Sequence, residues 1–147
     1  MRFVIRTVVW AVAVAALGGN APLAFGGYGD GVTAIEKAQL PKFCWKQMEV
    51  PNAAGSEFDF PASCGVGMNH YCPGLVKLIR AKRASDKQNR LSLLRGVAAD
   101  ISYTEQWMMK ESPNCGIRGH LEASKTEVQN LLRIYGGAGS GTPAPKR

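Results

Sequence analysis

The sequence predicts an all-α fold: an antiparallel helical bundle or truncated helical-hairpin repeat of about three main helices, with a short amino-terminal helical arm pinned by disulfides. Three observations carry this. Apolar residues recur at helical spacing in three long segments, no segment shows the alternation of a half-buried strand, and an even count of four cysteines can pin an arm to those segments. At 147 residues the chain has room for one small domain, and 46% hydrophobic residues is too many for a wholly disordered one.

The amino end reads as a targeting signal. Arg2 and Arg6 precede an apolar run from Thr7 to Leu17, with no acid among them. That run is about half of the ~20 apolar residues that cross ~30 Å of hydrocarbon, so it fits the apolar core of a cleaved signal better than an anchor. Gly18, Gly19 and Pro22 break it, and Ala24 is the expected last residue, with Ala21 as the alternative. Residues 1–24 are thus expected to be a signal peptide, 25–135 the helical domain and 136–147 a disordered Gly/Pro-rich tail. The expected location is the bacterial periplasm or the exterior. Because the first cysteine is Cys44, no lipid anchor is expected at the new amino terminus.

Within the domain, Gly26, Gly27, Gly29 and Gly31 predict an irregular lead-in, and Ala34, Ile35 and Ala38 a short helix over Val32 to Gln39. Leu40 and Pro41 begin a segment that runs through Cys44 and Trp45 to Met48 and stops at Pro51. Asn52 to Gly65 is a loop tied down by Phe58, Phe60 and Pro61. The first long helix spans about Met68 to Ala84, with Tyr71, Leu75, Leu78 and Ile79 on one face and Asn69 as its cap. Pro73 fits in its first turn, where a missing N–H costs nothing. Ser85 or Asp86 caps the second helix, which runs to about Glu111 with Leu94, Val97, Ala98, Ile101 and Met108 inward and Leu91 at its start. After the breakers Ser112, Pro113, Asn114 and Gly116, the third helix runs from about Arg118 to Tyr135. It carries Leu121, Val128, Leu131, Leu132 and Tyr135 on one stripe and stops at Gly136 and Gly137.

Four cysteines in an exported small domain predict two disulfides, with three connectivities open in principle. In an antiparallel array the first and third helices start at the same end, and Cys64 and Cys115 each precede one of those starts. This favours Cys64–Cys115 and leaves Cys44–Cys72. The alternative is a metal site drawn from Cys64, His70, Cys72, Cys115 and His120, but the paired C-x2-C spacing is absent and an oxidising compartment favours disulfides. No C-x-x-C-H supports covalent haem, and no cofactor is expected.

No catalytic signature is present: there is no G-x-S-x-G, no Gly-rich phosphate loop and no paired acids beside a nucleophile. Asp100 and Glu105, five residues apart, belong on different helix faces. His70 and His120 read as packing or capping at helix ends, and Trp45, Tyr103 and Trp107 as inter-helix packing. The formal charge of +7 concentrates between residues 77 and 95, where Lys77, Arg80, Lys82, Arg83, Lys87, Arg90 and Arg95 face one acid, Asp86. This forms a basic knob where the first and second long helices join, suited to a protein or anionic envelope polymer. Aromatics are not interleaved with these cations, so no specific nucleic-acid partner is expected. The expected function is a non-enzymatic periplasmic or secreted binding module that uses Lys77, Arg80, Lys82, Arg83, Lys87 and Arg90. Two alternatives stand beside it: a metal-binding or enzymatic protein centred on His70, Cys72, Cys115 and His120, and a self-associating structural subunit.

The stretch CGVGMNHYCPGLVKLIRA, Cys64 to Ala81, resembles one in exported bacterial tetratricopeptide-repeat-like proteins. There an N-H-Y-C-x-G-L motif, here Asn69, His70, Tyr71, Cys72, Gly74 and Leu75, opens a helix ahead of helical-hairpin repeats. The resemblance covers about residues 40–135. It implies a concave helical surface for protein partners and no catalytic residues. No 34-residue period is visible, so the repeats are expected to be truncated.

Overall fold

The computed structural model describes Gly29 and residues 31–137, apart from the side chains of residues 66 and 67. The expected signal segment, most of the lead-in and residues 138–147 lie outside the described residues. Among the described residues the order is α1 (Ala34–Ala38), α2 (Tyr71–Arg83), α3 (Lys87–Glu111) and α4 (Arg118–Gly136), with no strand. Single 3-10 turns at Lys42–Cys44, Ser56–Phe58, Ala62–Cys64 and Val66–His70 build the arm and the approach to α2. The fold is the predicted all-α array of three long helices and a short arm. None of the described helices is long and apolar enough to cross a membrane.

At five residues, α1 is below the length at which an isolated helix holds in water. A capping box starts it: Glu36 N donates to Thr33 Oγ1 at 3.2 Å, and Thr33 N donates to Glu36 Oε2 at 2.8 Å. Arg80 of α2 then grips the same carboxylate and ties α1 to the bundle.

The first long helix begins at Tyr71, three residues later than its apolar period predicts, because Val66–His70 closes as a 3-10 turn. Asn69 therefore does not cap it. Its side-chain oxygen is buried without a partner, and His70 occupies the cap position with no side-chain hydrogen bond. Pro73 lies in the first turn, as predicted. The α2 face carrying Tyr71, Leu75, Val76, Leu78 and Ile79 is buried.

Asp86 caps α3, its Oδ1 accepting from Asn89 N at 2.6 Å. α3 packs on α2 and on α4, burying Leu91, Leu94, Val97, Ile101 and Met108. Ala98, expected inward, is half-buried. On α4, Leu121 and Val128 are buried and Leu131, Leu132 and Tyr135 half-buried, so the stripe loosens toward the carboxyl end. The helix runs one residue further than predicted and stops where Gly137 adopts φ +76°, a left-handed conformation that glycine takes without steric cost.

Cys44 pairs with Cys72 and Cys64 with Cys115. The first bridge fixes the arm to the first turn of α2, and the second joins the loop before α2 to the turn before α4. All four cysteines are buried in the same core as Met48, Leu94, Val97 and Met108. The loop is held by aromatic contacts: Phe58 stacks on Trp45 and Phe60 tilts against Phe43, each pair with centroids 5.3 Å apart.

Candidate functional site

His70, Tyr71, Cys72 and Gly74 of the N-H-Y-C-x-G-L stretch each have a structural job at the junction of arm, α2 and α3. Tyr71 is buried, its hydroxyl 3.0 Å from Ser124 Oγ of α4, and burial pushes its phenol above the usual range. Cys72 holds the arm. Gly74 permits close approach: a Cβ there would lie 3.1 Å from Asp100 Cβ. His70 packs its ring on Tyr103, centroids 4.4 Å apart, with Nδ1 3.6 Å from Asp100 Oδ1. Asp100 also takes a 2.7 Å hydrogen bond from Lys77 Nζ. Tyr103, expected to be inter-helix packing, is instead exposed beneath His70.

Asp100 and Glu105 do lie on different faces of α3. Asp100 meets α2, whereas Glu105 meets α4 and accepts from Lys125 Nζ at 2.6 and 2.8 Å. Hydrogen bonding to Glu105 raises the Lys125 ammonium above its ordinary range. The proposed metal set does not assemble. Cys72 and Cys115 belong to different disulfides, and His120 packs edge-on to Phe43 at 5.2 Å, whereas His70 lies on Tyr103. Among the described residues no three His, Cys, Asp or Glu side chains converge as metal ligands.

The basic knob is smaller in space than along the chain, because acids from other elements neutralise part of it. Lys77 pairs with Asp100 and Lys82 with Glu127 of α4 at 2.5 Å. Arg80 donates to Glu36 Oε1 at 2.7 Å, to Glu36 Oε2 at 3.2 Å and to the Gly31 carbonyl at 2.6 Å. That grip pulls the Glu36 carboxyl from 4.5 down to about 2, the Arg80 hydrogen bond outweighing burial, and Glu36 in turn raises the Arg80 guanidinium.

Arg90 is a clamp rather than a docking cation. It donates to the Ala81 carbonyl at 3.3 Å and to the Ala84 carbonyl, closing the end of α2, and lies 4.2 Å over the Tyr135 ring. Of the six predicted residues, Arg83 and Lys87 are exposed with no acidic partner among the described residues. Arg95, two turns along α3, shares that condition. Glu36, Asp100 and Glu127 lie 44, 23 and 45 residues from the cations they neutralise, so no local charge count finds them.

The chain matches no family profile, no curated protein and no solved structure.

Proposed function

We propose that this chain is a non-enzymatic helical binding module working outside the cytoplasm, periplasmic or secreted, that engages an anionic partner through the α2–α3 tip. The observation that carries the reading is the set of exposed cations Arg83, Lys87 and Arg95, none with an acidic partner among the described residues, together with the exposed Lys82. The Lys82–Glu127 pair is 45% and 43% exposed, and such surface pairs are worth about 0–1 kcal/mol, so a multivalent anion can compete for Lys82. Two buried disulfides and a basic signal-like amino end support the compartment. The tetratricopeptide-like resemblance is carried into the proposal: α2 and α4 flank a groove of about 230 Å³ lined by Leu75, Leu78, Ile79 and Ala123, the kind of surface a protein partner would use.

The test is salt elution from an anionic polymer matrix. Wild type elutes at higher salt than the triple variant Arg83→Gln, Lys87→Gln, Arg95→Gln, with identical helical circular dichroism. Equal elution of the two overturns the reading. Self-association is the second reading, favoured by Ile134, which is 66% exposed beside the half-buried Leu131 and Tyr135. A dimer that persists in high salt by sedimentation would establish it.

A further inference from the structure

The last turns of α4 bring an apolar strip to the cationic tip. Leu131, Ile134 and Tyr135 recur at i, i+3 and i+4 on one face of that helix; Leu131 and Tyr135 are half-buried, whereas Ile134 is 66% exposed. Two contacts fix where the strip lies. Arg90, which closes the end of α2 through the Ala81 and Ala84 carbonyls, lies 4.2 Å over the Tyr135 ring. Glu127, two turns before Ile134 and so on the same edge of α4, pairs with Lys82, next to the last residue of α2. Ile134 therefore stands level with the α2–α3 connection, about 10 Å along the helix from Glu127. Arg133, in the same turn, adds an exposed cation that has no acidic partner among the described residues and donates to Asn130 Oδ1 at 3.2 Å. The acids at this end are engaged, Glu127 by Lys82 and Asp86 by the amide of Asn89.

We propose that the tip docks on the surface of an anionic lipid bilayer, with Arg83, Lys87 and Arg133 at the phosphate headgroups and Ile134 inserted among the outer acyl carbons. The inference rests on the cationic-tip reading above and names its anionic partner. Three occupants compete for this end, and the apolar strip separates them. A water-soluble polyanion satisfies the cations but leaves Ile134 in water, so its burial contributes nothing. A second copy of this chain covers Ile134, but a symmetric contact then brings the cations of one copy toward the same cations of the other. An anionic bilayer presents negative headgroups and hydrocarbon within about 5–10 Å of depth, and so takes the cations and Ile134 together. Tyr135 suits that boundary, since its ring is apolar and its hydroxyl polar, and the Arg90 guanidinium holds the ring in place.

The test is co-sedimentation of the oxidised protein, purified from a bacterial periplasm, with vesicles of phosphatidylcholine alone or mixed with phosphatidylglycerol, beside salt elution from the anionic polymer matrix. The protein partitions to the phosphatidylglycerol vesicles and not to phosphatidylcholine alone. Ile134→Ser lowers that partition about tenfold, while polymer elution and helical circular dichroism stay unchanged because the side chain is exposed. Ile134→Leu keeps the partition, and the triple variant Arg83→Gln, Lys87→Gln, Arg95→Gln lowers both partition and polymer elution. A protein that the polymer retains but phosphatidylglycerol vesicles do not overturns the lipid proposal and leaves the tip reading standing. Equal polymer elution of wild type and triple variant overturns both. Ile134→Ser that binds vesicles as wild type does, or that only dissolves a salt-resistant dimer, also overturns the lipid proposal.

Discussion

Arg80 of α2 reaches both carboxylate oxygens of Glu36 in α1, at 2.7 and 3.2 Å, and so fastens a five-residue helix that its own hydrogen bonds could not sustain. Glu36 is almost fully buried and its carboxyl is held down at about 2 against 4.5 in the unfolded chain. A depressed carboxylate contributes stability that is fully present above the unfolded value and is lost as pH falls through the folded one. Stability is therefore expected to drop between about pH 4.5 and 2. Allowing for solvent around Arg80, the contribution is about 2 kcal/mol. Glu36→Gln lowers stability at neutral pH by about that amount and flattens the acid limb of a urea-unfolding series.

The two ends of the basic run should separate on mutation. Arg90→Gln removes the hydrogen bonds that close α2 and the contact with Tyr135, so it should cost about 1–2 kcal/mol. Arg83→Gln and Lys87→Gln leave no polar group unpaired and should lie within about 0.5 kcal/mol of wild type. Thermal melts of the three single variants check this directly.

Both disulfides restrict the unfolded chain, and the bridge of longer separation restricts it more. The separations are 28 residues for Cys44–Cys72 and 51 for Cys64–Cys115. Chain-entropy arguments put these at about 3.5 and about 4 kcal/mol. Paired Cys→Ala variants, compared by denaturant midpoints, should both be strongly destabilised, with Cys64→Ala/Cys115→Ala the weaker protein.

Glu49 sits at φ +54° where the turn after the arm closes with Val50 N donating to the Trp45 carbonyl at 2.9 Å. A left-handed conformation at this position favours glycine. Glu49→Gly should stabilise the domain by about 1 kcal/mol, a rise of about 4 °C in melting temperature for a domain of this size. The carbonyl that accepts from Lys37 Nζ is retained.

What the sequence made legible was the part governed by short-range rules. Helical periodicity located α2, α3 and α4, Ser85 or Asp86 marked the start of α3, and helix ends placed Cys64 beside Cys115. What it concealed depends on elements far apart in the chain. Seven cations between Lys77 and Arg95 read as one knob until Glu36, Asp100 and Glu127 fold against three of them. Asn69 looked like a helix cap because nothing local distinguishes a 3-10 turn from the first turn of α2.

The most direct measurement on a disulfide-pinned frame outside the cytoplasm is the intact mass of the protein after export to a bacterial periplasm, alkylated without and then with reductant. The expected result is a chain beginning near Phe25, lighter by four hydrogens than its reduced form, that takes up alkyl groups at Cys44, Cys64, Cys72 and Cys115 after reduction and not before. Four thiols alkylated without reductant, or a chain retained in the cytoplasm with its first residues intact, would contradict it.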